Sequence, residues 1–426
     1  MSGTTGTHRR APSERLWMFG ILLLAYVVNA MNKVIFPVLI GDVRSDYGFS
    51  LEQAGFQSTI FALGIGLAGI PGGYLLTHLR RRTVIIIGTL TFSAATLATT
   101  FAFGFWDMLV WQTVAGIGES LQLTALLAIA AASFARRPST AVGSVNVAFG
   151  VGAIVGPALG GHMLASFGTW RAPMATLAVC GFVAVAAVTV LVRPRFTEPG
   201  STGPAGPGEP TAPVPEAGRL INHNTVVLSV VGVLAGLVGF GYIGMYPSFL
   251  QEHLGYSAAR SGIVVGVSGV GALFSAFGGL LGDRMNPRTL LTCAYGITAA
   301  AGAALFAGPA SFAWQLVWSL VFGLAFNAVV FVNVSTILIK SVTPDLCAKA
   351  SGLFVTSLFV PAAFAGYLFS WLVGTSGWSQ AGLIQIVGGS LIATALSALL
   401  RPKRMPFLFP EVMTFVASDP LKNLAS

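Results

Sequence analysis

Charge is what this chain has least of. Asp, Glu, Lys and Arg together make up 9% of its 426 residues, where a soluble domain carries about 25%. So little polar surface excludes a water-borne enzyme, a nucleic-acid-binding module and a charged disordered tether. Cysteine is also scarce: Cys180, Cys293 and Cys347 fit no disulfide framework, and none has a CxxC or Cys/His neighbour that suggests a metal. No phosphate-cradling GxxxxGK[ST] and no nucleophile elbow occurs, so neither ATP hydrolysis nor hydrolase chemistry is expected. The chain reads as a non-enzyme that needs no cofactor and no metal.

What fills the chain instead is apolar. Hydrophobic residues reach 54%, glycine numbers 52, and the mean hydropathy is +0.80. About 20 apolar residues carry a helix across a bilayer, and twelve such stretches are present. They lie near 16–40, 55–77, 83–103, 108–132, 140–166 and 173–192, then 225–250, 261–281, 289–309, 313–339, 350–373 and 380–400. The runs are continuous, without the alternation of a membrane barrel, and the first is too long for a signal-peptide core. The expected fold is an all-α membrane protein of twelve transmembrane helices.

Basic residues orient it. With the N-terminus inside, nineteen of the 23 fall on inner segments, among them Arg80, Arg81, Arg82, Arg136 and Arg137. The outer loops hold only Arg44, Arg171 and Arg260, while Lys33 sits within a span. This positive-inside bias places both termini in the cytoplasm, expected at a cell inner membrane. The net charge of +9 therefore orients helices and implies no nucleic-acid partner. Residues 194–219 are rich in Pro, Gly, Ser and Thr and read as a flexible linker. The expected organisation is an N-terminal six-helix bundle (1–193), a linker (194–224), a C-terminal bundle (225–400) and a tail (401–426). The tail's FLFPEVMTFVA is too short to span and reads as interfacial.

The two halves repeat each other. GFSLEQAG from Gly48 matches GYSAARSG from Gly255 at an offset of 207 residues, and Gly72-Gly73 matches Gly278-Gly279 at 206. A duplicated six-helix unit is the architecture of a carrier that rocks two bundles around a central site.

The chain here resembles the major facilitator superfamily, whose loop between spans two and three carries Gly-x-x-x-Asp-Arg-x-Gly-Arg-Arg. Gly279, Asp283, Arg284 and Arg288 keep the second copy of that pattern. The first keeps Gly73, Arg81 and Arg82 but has Thr77 and His78 where Asp and Arg stand in the family. The resemblance implies a gating role for Asp283, Arg284, Arg81 and Arg82.

Two ionisable residues lie deep in spans, where each costs at least about 2.5–3.5 kcal/mol. Glu119 is about 18 Å from the outer end of span four, and Lys33 about 10 Å from that of span one. Tyr26, Asn29 and Lys33 share one helix face, as do Gln112, Gly116 and Glu119. Burial disfavours a carboxylate and a nearby cation restores it, so a glutamate that alternates between the two can take and release a proton. Glu119 is the expected proton carrier. Lys33 is the expected anchor for an anion, with snorkelling toward the headgroups as the alternative.

In this respect the chain is similar to organic-anion/proton symporters of the superfamily, which carry Asn-x-x-Asp-Arg/Lys in span one and Arg-x₃-Gly-x₂-Glu in span four. Asn29, Lys33, Gly116 and Glu119 match, but Asn32 replaces the Asp and Gln112 the Arg. The implied cargo is a small organic anion, a monocarboxylate or aromatic acid, moved with protons by a monomer. Tyr242, Tyr246 and Asn327 are further cavity candidates. Span five offers a rival signature. Gly143, Gly152, Gly156, Pro157, Gly160 and Gly161 resemble the antiporter motif of drug/proton exchangers, with close helix packing as the plain alternative.

Overall fold

A computed structural model describes residues 12–133, 138–197, 219–343 and 346–405. The first eleven residues, most of the linker, and the tail beyond 405 lie outside the described residues, and with them the expectations placed there.

Among the described residues the fold is twelve helical passes. The N-terminal bundle comprises α1 (Pro12–Tyr47), α2 (Leu51–Thr59 continued by Phe61–His78), α3 (Arg81–Thr99), α4 (Phe105–Ser133), α5 (Pro138–Phe167) and α6 (Arg171–Leu191). The C-terminal bundle comprises α7 (His223–Ser248), α8 (Ala258–Leu273 and Ser275–Arg284, bent by 45°), α9 (Pro287–Ala307), α10 (Phe312–Lys340), α11 (Cys347–Ala362 and Ala365–Ser376) and α12 (Trp378–Ser397). Ten of these pass a length-and-hydropathy criterion singly and α8 passes as a bent pair. In α2, Ile60 stays helical (φ −62°, ψ −27°), so its two pieces form one pass.

The passes begin and end where the sequence supplies the means. Gly48 (φ +66°) and Gly255 (φ +70°) make the same left-handed turn after α1 and α7. Ser50 and Ser257, two residues on, cap α2 and α8 by accepting the N–H of Gln53 and Arg260. Asn222 closes a reciprocal cap at the start of α7, and Asn286 with Pro287 starts α9. One boundary differs from expectation. α1 runs seven residues past its apolar stretch, because Asp46 is held by Arg171 at 2.6 Å and by the Trp170 indole at 2.8 Å.

Glycines set the approach of one helix to another. A side chain at Gly116 would strike the Phe61 carbonyl, and one at Gly323 the Ser268 carbonyl. These two crossings, α4 on α2 and α10 on α8, are the same contact 207 residues apart. The register slips by one in α7. The Phe49 N–H bonds back to Arg44 in α1, but the Tyr256 N–H reaches Leu250, across a π turn at Phe249–His253.

The bundles differ inside. The C-terminal bundle has one continuous apolar core, from Val227 to Met405, and it takes in Phe61 and Ile65 of α2. The N-terminal core is split in two. One cluster holds Met18, Leu22, Tyr26 and Leu126 near the end where α6 hands over to α7, here called the linker side. The other holds Ile35, Leu39, Trp170 and Met174 toward the opposite, far side.

Across the bundle interface the far side is sealed. Gly55 lies backbone to backbone against Gly366, and the Thr59 hydroxyl donates to the Ala363 carbonyl at 2.8 Å. Gly161 packs on Ala258, and Gly262 on the Pro157 carbonyl. Arg44 pairs with Glu252 at 2.9 Å, and the Gln251 amide donates to the Val38 carbonyl at 3.1 Å. Large apolar side chains facing outward, such as Trp17, Leu24, Val183 and Val190, suit a lipid environment.

Candidate substrate and proton site

The gap between the two N-terminal apolar clusters is polar. Lys33 from α1 and Glu119 from α4 meet there at 3.2 Å, with side-chain exposures of 8% and 4%. Those values place the pair out of reach of bulk water, so neither charge is screened. The Lys33 ammonium also lies 5.4 Å from the Phe149 ring centre on α5, within cation–π range. One turn toward the linker side, the Asn29 amide donates to the Gln122 carbonyl oxygen at 2.6 Å. Tyr26 lies a turn beyond Asn29, buried and within electrostatic reach of Glu119.

This belt has unused hydrogen-bonding capacity. Asn29 Oδ1, Asn32 Oδ1 and Gln122 Nε2 are buried there without a partner, and Gln112 Nε2 is likewise unpartnered two turns further along α4. The ion pair itself meets by distance without hydrogen-bond alignment, since Glu119 Oε1 also lacks such a bond. A buried unpaired polar atom costs about 1–3 kcal/mol, so several on one belt are a concentrated cost that a polar ligand would relieve.

The structure brings Lys33, Glu119, Asn29 and Tyr26 together, with Gln112 buried two turns further along α4. It does not bring the C-terminal candidates to that belt with free polar groups. The Tyr242 hydroxyl is bonded to Ser319 at 2.7 Å, and Tyr246 donates to Gln315 at 2.7 Å. Both rings are fully buried and stack on each other, and Tyr242 stacks in turn on Phe322. The Asn327 amide donates to the Ser268 carbonyl at 3.1 Å.

The residues singled out for gating lie apart from this belt. Asp283 pairs with Lys340 at 2.7 Å, within the C-terminal bundle. Arg284 is exposed beside it. Arg82 donates to the Thr189 carbonyl, and Arg81 is half-buried at the start of α3.

The span-five glycines are packing surfaces. A side chain at Gly152 would sit 2.6 Å from Ala30, one at Gly156 3.0 Å from Met31, and one at Gly160 against Ile35, all on α1. Gly161 and Pro157 meet α8 across the bundle interface.

Gln122 and Phe149 were not anticipated. Gln122 had a signal, since it stands three residues from Glu119 on the same helix face. Phe149 had none, because an aromatic residue in a membrane span is ordinary.

Two pseudo-symmetric six-helix bundles with a buried charged belt at mid-span define a membrane transporter of the rocking-bundle class. The Major Facilitator Superfamily model matches residues 22–366, and the chain belongs to that superfamily. It is 23% identical over 413 residues to a probable sulfoacetate transporter of Cupriavidus necator, covering 91% of this chain and 93% of that one. It is 21% identical over 282 residues to a hexuronate transporter of Bacillus subtilis, covering 65% of this chain and 66% of the relative. Among solved structures it is similar to a bacterial homologue of the human lysosomal transporter Spinster, in an inward-facing, occupied conformation. That match has 18% identity and a TM-score of 0.72, over 93% of this chain and 98% of the other. The family and these relatives are transporters, not enzymes.

Proposed function

We propose that the chain carries a small organic anion across the membrane together with protons, by alternating access. The observation that carries this reading is the buried Lys33–Glu119 pair in the N-terminal bundle, with the unpartnered Asn29 Oδ1, Asn32 Oδ1 and Gln122 Nε2 beside it. An arriving carboxylate competes with Glu119 for the Lys33 ammonium. Glu119 then takes a proton, which leaves the site with one cation and one bound anion. Release of the anion returns Lys33 to Glu119, which gives up its proton. Each half-reaction keeps the belt neutral, so neither open state traps an uncompensated charge. Both the sulfoacetate and the hexuronate relatives bear the names of anions.

In this reading residues 1–193 and 225–400 are the moving bundles, and 194–224 is the tether. The tail is 401–426, and the carrier works as a monomer. The basic excess puts the linker side in the cytoplasm of a cell inner membrane, so the sealed far side faces outward.

The test is uptake of labelled carboxylates into proteoliposomes, with and without an inward proton gradient, comparing wild type with Glu119→Gln. Gradient-driven accumulation should vanish in the variant while downhill exchange persists. Absence of carboxylate transport in correctly oriented vesicles would overturn the reading in favour of a drug/proton antiporter. The glycines of α5 serve as packing surface in either case.

A further inference from the structure

The two bundles should meet a substrate with matched surfaces if their symmetry were complete, and they do not. Counting back along α7 from the π turn, the position equivalent to Lys33 is Gly239. Counting from the Gly116/Gly323 crossing, the position equivalent to Glu119 falls at Phe326–Asn327, because α10 winds its own extra residue into a π turn at Leu324–Val330. At that level the Phe326 ring fills the space beside Gly239. A charged pair in one half is thus an aromatic ring on a glycine in the other.

More rings extend this surface to the bundle interface. Phe61 of α2 lies 5.8 Å from Phe240 of α7, centre to centre, and Phe240 lies 5.7 Å edge-on from Phe359 of α11. The first of these contacts crosses between bundles. Its level is set by Gly116, which packs on the Phe61 carbonyl one turn from Glu119. The C-terminal polar candidates already spend their hydroxyls and amide on protein partners.

We infer that Phe61, Phe240, Phe326 and Phe359 select the cargo's apolar body, so the carrier prefers carboxylates bearing an aromatic ring over short hydrophilic ones. This rests on the anion reading above and deepens it. The carboxylate end meets Lys33 on the N-terminal face. The ring replaces one phenylalanine–phenylalanine contact with a phenylalanine–ligand contact, an exchange in kind that a small hydrophilic anion cannot offer.

The experiment is proteoliposome uptake of benzoate and acetate by wild type, Phe240→Leu and Phe326→Leu, read as the ratio of the two KM values. Wild type should favour benzoate by at least tenfold. Each leucine variant should cut that preference about three- to tenfold, as expected for the loss of one aromatic pair. The ratio is insensitive to how much protein inserts. If one variant does not insert, Phe359→Leu supplies the second measurement. An equal or acetate-favouring ratio in wild type, or a ratio unmoved by the substitutions, overturns the inference while leaving anion transport intact. No uptake of either acid refutes the anion reading and this inference with it.

Discussion

Glu119→Gln is the substitution whose consequences the structure quantifies best. It removes one charge from a pair that is 3.2 Å apart and more than nine-tenths buried, and it leaves the Lys33 ammonium facing Phe149 and unpaired amides. Breaking a buried pair by deleting one partner costs about 3–5 kcal/mol, whereas deleting both at once is often close to neutral. Unfolding entropy of about 2.1 cal/mol/K per residue over 426 residues gives about 0.9 kcal/mol/K. On that scale each single variant should lose about 3–6 °C in Tm. The assay is thermal unfolding in one detergent at low salt, for wild type, Glu119→Gln, Lys33→Gln and the double variant. The double variant should recover most of the loss, so that the cycle shows a coupling energy of at least about 2 kcal/mol. Two near-neutral single variants, or strictly additive losses, would refute the claim that the charges are mutually compensating.

Other expectations follow from the same geometry. Lys33→Gln should abolish saturable carboxylate uptake, and a retained KM would show that the ammonium does not touch the anion. The Arg44–Glu252 pair is about a third exposed on each side and is therefore worth at most about 1 kcal/mol. Glu252→Gln should raise the far-side-open population up to about fivefold, seen as faster labelling of Ser58→Cys by a membrane-impermeant thiol reagent with Cys180, Cys293 and Cys347 replaced. Gly262→Val should prevent far-side closure, because its side chain would enter the Pro157 carbonyl. In the same labelling assay it should stay reactive under all conditions.

Much of this architecture is legible in the sequence because the membrane simplifies the problem. Continuous apolar runs can only be helices there, so the twelve passes and their pairing into two repeats follow from hydropathy and from the recurrence of Gly48 and Gly255. The meeting of Lys33 with Glu119 is foreshadowed by the cost of either charge alone, which demands a partner. What the sequence conceals is where polar atoms spend their bonds. Tyr242 and Ser319 are 77 residues apart, and no local pattern tells that this hydroxyl is already engaged. The span-five glycines are hidden in the same way, since a small residue reads alike whether it admits a ligand or a neighbouring helix.

The π turn at Phe249–His253 has a practical consequence for anyone reworking this molecule. A single extra residue wound into α7 shifts everything before it, so the halves cannot be superimposed by adding a constant to residue numbers. A second lysine meant to mirror Lys33 belongs at Gly239, not at Phe240, and it would need Phe326 to shrink to make room. The duplication thus survives as a backbone plan, while its two interiors have diverged into complementary solvents, one that holds charge and one that holds rings.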